Sequence, residues 1–168
     1  MAIETWVGGA ALTGSSTLAW SAVFGSSASE LVSLANGSTI LDGGFGDISN
    51  GTSCDMFMDF SFVLGSATTV APNKVDLFLY PLLGDATTYG DGLLNTTPTA
   101  VAKSPSPGLW VGSAPLQLGA SSLISGIIQR AILPPGTFRV ALQNNAGVTF
   151  PASGLTGAWI RTYDRKVA

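Results

Sequence analysis

Strict alternation of apolar and polar positions is the strongest signal along this chain. Between Cys54 and Leu64, the residues Met56, Met58, Phe60, Phe62 and Leu64 fall on one face, and Asp55, Phe57, Asp59, Ser61 and Val63 on the other. A period of two over this length predicts a β-strand with one fully apolar face. Lys74 to Tyr80 repeats the pattern, with Val75, Leu77 and Leu79 against Asp76, Phe78 and Tyr80. Pro81 lacks the N–H that a central ladder needs, so this strand ends or reaches an edge there. Thr137 to Gln143 alternates Phe138, Val140 and Leu142 against Arg139, Ala141 and Gln143. It lies between Pro134-Pro135-Gly136 and Asn144-Asn145-Ala146-Gly147, whose fixed or permissive φ suits turns. Val148 to Phe150 is expected to form a short return strand. In the closing stretch Gly157 to Lys166, Trp159, Arg161, Tyr163 and Arg165 share one face, opposite Ala158, Ile160, Thr162 and Asp164.

Weaker strand signals cover Glu4 to Val7, Thr39 to Leu41, Leu109 to Leu118 and Leu123 to Gln129. The last also suits a helical stripe through Ile124, Ile127, Ile128 and Ala131. Gly126 and the β-branched isoleucines disfavour a helix of that length, so a strand is expected. The whole reads as an all-β chain: a single-domain antiparallel β-sandwich, jelly-roll-like, with about eight strands and little helix. Residues 1–37, rich in Ser, Gly and Ala, form either an N-terminal arm or a first strand and loop. Residues 38–168 form the sandwich. Asn95 to Gly108 holds three prolines and reads as a surface connection.

Composition adds a constraint on the surface. The chain has 168 residues, enough for one domain with a sizeable core. Only 10% are charged, against about 25% in an average soluble protein. Mean hydropathy is +0.41. So few charges protect a monomer poorly from association, and much of the surface is expected to be covered by partners or by copies of the chain. No membrane partner is expected, because no continuous apolar run reaches the length of a spanning helix. The stretch from Gly8 to Phe24 comes closest and lacks the basic start of a secretory signal. Net charge is −3, and of seven basic residues only Arg161, Arg165 and Lys166 cluster. That is too little for a nucleic-acid footprint.

The chemistry a catalyst needs is thin. The absence of histidine removes the usual general base and the commonest metal ligand together. The single Cys54 precludes an internal disulfide and a cysteine zinc site, and at the head of an apolar strand it reads as a buried inert thiol. Asp55 and Asp59 share a strand face, about 13 Å apart at about 3.3 Å per residue, too far for a glycosidase pair. They are expected to keep the outer face soluble. Gly43-Gly44-Phe45-Gly46-Asp47 lacks the Lys-Ser/Thr ending of a phosphate loop and reads as a connection between strands. Asp85, Asp91 and Asn95, or Asp42 and Asp47, carry oxygens suited to calcium without the spacing of an EF-hand. No enzyme activity, cofactor or metal is therefore expected. Tyr89 between Asp85 and Asp91, and Trp110 beside the proline-rich loop, would suit a sugar site, but each is read in preference as a packing or interface aromatic.

Two stretches resemble a known group when read together. One is Lys74-Val-Asp-Leu-Phe-Leu-Tyr-Pro-Leu-Leu-Gly-Asp-Ala-Thr-Thr-Tyr-Gly-Asp-Gly92. The other is Leu133-Pro-Pro-Gly-Thr-Phe-Arg-Val-Ala-Leu-Gln-Asn-Asn-Ala-Gly-Val-Thr-Phe-Pro-Ala-Ser-Gly154. Both resemble small β-sandwich virion proteins of tailed bacteriophages. There, a strand leads into a loop with proline, small residues and Tyr-Gly/Ala-Asp-Gly, and a Leu-Pro-Pro-Gly-x-Phe turn opens a strand ending in Asn-Asn-x-Gly-Val. The resemblance covers about 40 of the 168 residues and rests on turn chemistry around strands. It implies a capsid decoration or cement protein that lies across capsomer junctions and stabilises the shell. Its partners would be the major capsid protein and copies of itself, as a homotrimer. It would be made in the bacterial cytoplasm and reside on the virion. Two other readings stand beside it: a tail, baseplate or fibre-anchoring component, and a carbohydrate-binding module for host glycans. The contact candidates are Trp6, Trp20, Phe24, Tyr80, Pro81, Tyr89 and Trp110.

Overall fold

A computed structural model of the chain describes residues 4–8, 20–24, 26–41, 47–50, 57–66, 73–85, 89, 110–118, 123–152 and 157–167; for 4–8, 26–28, 66, 117–118, 123–124 and 164–167 it describes the backbone alone. The strands are β1 (Glu4–Gly8), β2 (Ser21–Val23), β3 (Thr39–Leu41), β4 (Ile48–Ser49), β5 (Phe57–Ser66), β6 (Lys74–Pro81), β7 (Trp110–Pro115), β8 (Gln117–Leu118), β9 (Leu123–Ile132), β10 (Thr137–Asn145) and β11 (Gly157–Val167). One 3-10 turn, Ser26–Leu31, is the helical element among the described residues. The chain is an all-β sandwich of two antiparallel sheets.

Sheet A runs β1-β11-β5-β9-β8, with β2 also on β11. Sheet B runs β3-β10-β6-β7, with β4 also on β10. Two outer positions are each shared by short strands in line. β1 pairs with the far half of β11 and β2 with its start. β3 and β4 divide β10 in the same way. These short edge strands bring the total among the described residues to eleven. On the other side, β7 closes sheet B, Leu116 turns the corner, and β8 closes sheet A. A chain that changes sheets at a corner leaves less open edge.

The alternation places the core as expected. Met58, Phe60, Phe62 and Leu64 of β5 meet Val75, Leu77 and Leu79 of β6, with Phe138, Val140 and Leu142 of β10 and Ala158 and Ile160 of β11. Residues 123–132 are a strand and not a helix. Gly126 is required there by packing: a Cβ would collide with the Phe62 ring and meet the Ala114 Cβ at 3.1 Å. Gly136 follows Pro134-Pro135 at a φ of +126° and accepts the Asn50 N–H, tying β4 to the turn into β10.

One expectation needs correction. Val148 to Phe150 is not a strand. Phe150 instead donates its N–H to the Leu34 carbonyl and buries its ring in the core. The outer face of sheet B is apolar over part of its area. Phe78, Tyr80 and Ala141 pack there with Leu41, Tyr89 and Leu82 in a second apolar cluster. An isolated Leu82–Tyr89 bridge brings Tyr89 onto that face. In the N-terminal third, β1 and β2 pair within the chain, and Phe24, Leu31 and Leu34 lie in the core. The described parts of 1–37 are therefore built into the sandwich, and hydrophobic burial supplies the reason: Phe24 reaches the Phe60 ring at 6.4 Å, edge-on.

Candidate functional site

The outer face of sheet A is organised around one carboxylate. Asp59 was expected to face water; it is 2% exposed. Its direct neighbour across the ladder is Arg161, and Phe57 pairs with Tyr163 one pleat further along. Side chains directly opposite on one face meet. Arg161 donates from Nε at 2.8 Å and Nη2 at 2.7 Å to Asp59 Oδ2. Tyr163 donates its hydroxyl to Oδ1 at 2.8 Å. The Arg130 backbone N–H donates to Oδ1 at 2.7 Å. That last bond arises from a β-bulge. Met58 pairs with Ala131 and Phe60 with Ile128, so Asp59 faces both Gln129 and Arg130. The extra residue leaves a ladder N–H unpaired, and the carboxylate takes it.

Aromatic rings and guanidinium groups line up over this base. Arg130 lies 5.8 Å above the Phe57 ring. Phe57 stacks on Tyr163 at 5.9 Å. Arg161 lies 5.9 Å from Tyr163 and 4.5 Å over Trp20. Burial pushes the Tyr163 phenol up to about 12, aided by its bond to Asp59.

Sheet B carries a parallel arrangement. Arg139 donates to Asp47 Oδ1 at 2.7 and 3.1 Å, and Tyr89 donates to the same oxygen at 2.6 Å. Arg139 lies 4.9 Å over the Tyr89 ring. Burial, with the bond to Asp47, raises the Tyr89 phenol well above its ordinary range. Asp76 forms a third centre, holding Lys74, Ser113 and Asn145. Burial alone would raise its carboxyl; the bonds from Ser113, Lys74 and Asn145 outweigh that and hold it below the ordinary value.

These carboxylates are occupied acceptors. Each receives donors that its neighbours would lose if it moved to a substrate, so none is placed as a general base. Among the described residues no group of three or more His, Cys, Asp or Glu side chains comes together to hold a metal. No described helix is long and apolar enough to cross a membrane.

The contact candidates separate into two kinds. Phe24, Tyr80 and Tyr89 are buried inside the chain and are not surface groups. Phe24 fills the main core; Tyr80 and Tyr89 fill the cluster outside sheet B. Pro81 ends β6, half-buried. Trp110, at the start of β7, is 57% exposed, and Trp20 is exposed beyond its contact with Arg161. Trp6 lies in β1 opposite Arg165; its side chain is outside the described residues. So are Cys54, Asp55, the Asp42 to Gly46 loop, Asp91 and the connection from Asn95 to Gly108. The sequence reading missed Leu83, Ile127 and Ile132, which are exposed. Leu83 lies beyond the end of β6, and Ile127 and Ile132 lie either side of the bulge, so alternation alone misassigns them. A shallow groove of about 250 Å³ lies beside Ile127, bounded by Ser61, Val63, Pro115 and Ser125.

No protein-family model, no curated protein and no solved structure matches the chain.

Proposed function

We propose that this chain is a non-enzymatic structural protein of a bacteriophage virion, a decoration or cement protein that self-associates and binds the head surface across capsomer junctions. The observation that carries the reading is how the surface is built. Large apolar side chains, Ile132, Trp110, Leu83 and Ile127, stand exposed on rigid strands or tight turns. The carboxylates Asp47, Asp59 and Asp76 are meanwhile taken up by ion pairs and hydrogen bonds within the chain. Exposed apolar patches on a rigid scaffold suit broad protein contact. The two stretches that resemble phage virion proteins are the ones that contain β6 and β10 with its entry turn. The major capsid protein is the partner this reading requires, and the virion is its location.

The glycan reading is weaker. Tyr89, one of its two aromatic candidates, is buried beneath Arg139 and bonded to Asp47. Electron cryomicroscopy of heads reconstituted with the purified chain tests the proposal. Added density repeated over the shell supports it. Density confined to one vertex moves the chain to the neck or tail.

A further inference from the structure

The sequence holds two Asn-Gly pairs, Asn36-Gly37 and Asn50-Gly51. Such a pair can modify itself, because glycine lacks the Cβ that would shield its backbone nitrogen from the asparagine side chain before it. Sequence treats the two pairs alike, and the fold separates them. Asn50 is 3% exposed. Its Nδ2 donates to the carbonyls of Leu133 at 3.4 Å and Pro134 at 3.0 Å, and its backbone N–H to that of Gly136 at 2.8 Å. Asn36 and Gly37 are both exposed, in the turn that leads to β3. Gly37 has a φ of +80°, and a Cβ there would meet nothing within 4 Å, so no neighbour crowds it. Two backbone contacts act on the reacting atoms in opposite senses. The Gly147 N–H donates to Asn36 Oδ1 at 2.9 Å, on the oxygen that gains negative charge when Cγ is attacked. The Gly37 N–H, on the attacking nitrogen, is held by the Asn144 carbonyl at 2.6 Å.

We propose that Asn36 is a self-modification site, converted to aspartate and isoaspartate through a cyclic imide at a rate set by opening of the Gly37–Asn144 hydrogen bond. Once that bond opens, hydroxide from the solvent takes the proton from the Gly37 nitrogen. The nitrogen attacks Asn36 Cγ, the N–Cγ bond forms, the bond from Cγ to Nδ2 breaks, and Nδ2 leaves as ammonia. Water then opens the ring. Breaking the new N–Cγ bond gives aspartate; breaking the original peptide bond between Asn36 and Gly37 gives isoaspartate. No electrons are exchanged with any other group. The isoaspartate product lengthens the main chain by a methylene where register matters. The Gly37 carbonyl accepts Gln143 Nε2 at 3.3 Å, the Ser38 carbonyl accepts the Asn144 N–H at 3.0 Å, and the Leu34 carbonyl accepts Asn144 Nδ2 at 2.8 Å. These bonds dock the turn on the end of β10, and a lengthened chain loses some of them. The modification therefore loosens the segment that carries Leu34 into the core. The site is independent of the assembly and shell binding proposed above.

Incubation of the purified full chain at mildly alkaline pH tests it, folded in one arm and in urea in the other. Peptide mapping by mass spectrometry, with enzymatic labelling of isoaspartate, follows each asparagine separately. In urea both pairs are expected to convert at similar rates. In the folded chain Asn36 is expected to convert faster than Asn50 by about tenfold or more, because Asn50 reacts only through a larger opening of the fold. The isoaspartate fraction is expected to melt at a lower temperature than the unmodified chain. Gln143→Leu removes one docking bond without touching either reacting residue, and should raise the folded-state rate at Asn36. Asn36→Gln should abolish conversion at that position and leave Asn50 unchanged. A folded chain in which Asn50 converts as fast as Asn36 overturns the inference. So does one in which Asn36 stays intact while it converts in urea, and so does a Gln143→Leu rate equal to that of wild type.

Discussion

The carboxylate of Asp59 holds the backbone N–H of Arg130 at 2.7 Å, across a bulge in which Arg130 has a φ of 56°. One buried side chain thereby stabilises three things: the bulge, the Arg161 ion pair and the Tyr163 hydroxyl. A left-handed conformation at a residue with a Cβ costs about 1–2 kcal/mol. It persists because Asp59 satisfies the N–H that the bulge frees.

Removing the carboxylate should release all three together. Asp59→Ala leaves the half-buried Arg161 without its ion-pair partner, and the expected loss is about 3–5 kcal/mol in urea denaturation. Arg130 discriminates backbone strain from side-chain contact. Arg130→Gly relieves the strain and should leave stability unchanged or raise it by up to about 1 kcal/mol, whereas Arg130→Val should lower it by about 1–2 kcal/mol. Equal effects of the two would contradict the strain.

Gly126 is tested by overpacking. Gly126→Ala drives a methyl group into the Phe62 ring and should lower stability by about 1–3 kcal/mol. Adding Phe62→Leu should recover part of that loss. A neutral Gly126→Ala would mean that the two sheets separate more readily than the packing implies.

Stability should fall at both extremes of pH, for separable reasons. Tyr163 is held up to about 12, chiefly by burial, while an unfolded tyrosine ionises near about 10. The folded state binds that proton more tightly, so its contribution is full below about pH 10 and is lost as pH rises toward about 12. Tyr89 is shifted in the same direction. Tyr163→Phe should flatten part of this alkaline limb in thermal melts. Asp76 acts on the acid side. Its pKa is lowered from 3.8, despite burial, by its bonds to Ser113, Lys74 and Asn145. Its contribution is present above that unfolded value and is lost as pH falls through the lower folded one. Asp76→Asn should shrink the acid limb.

Deleting residues 2–37 distinguishes a detachable arm from part of the sandwich. The deletion removes β1, β2 and the core residues Phe24, Leu31 and Leu34. The expected product has lost its cooperative melt. A truncated chain that melts like wild type would restore the arm.

The strands that alternate cleanly, β5, β6, β10 and β11, were legible because a period of two specifies both the element and its buried face. Which polar residues would end up buried was not. Asp59, Arg161 and Tyr163 all sit at outward positions in their own strands, and only the β5–β11 register joins them. Register is a pairing between distant segments that local pattern leaves open. Asp47 and Tyr89 meet for a similar reason, since they are distant in sequence and joined only by the tertiary fold. Phe24 and Tyr80 are buried although sequence alone marks them as contact candidates, because it shows an aromatic residue without showing which face is covered.

The most direct test of the central proposal is a binding titration of phage heads assembled without this chain. Purified protein is added, the heads are sedimented, and bound copies are counted while thermal release of the packaged DNA is followed. Saturation at hundreds of copies per head, with release moved to higher temperature, is the expected result for a contact repeated at every capsomer junction. Saturation at a dozen copies or fewer, or no binding with release unchanged, would contradict it.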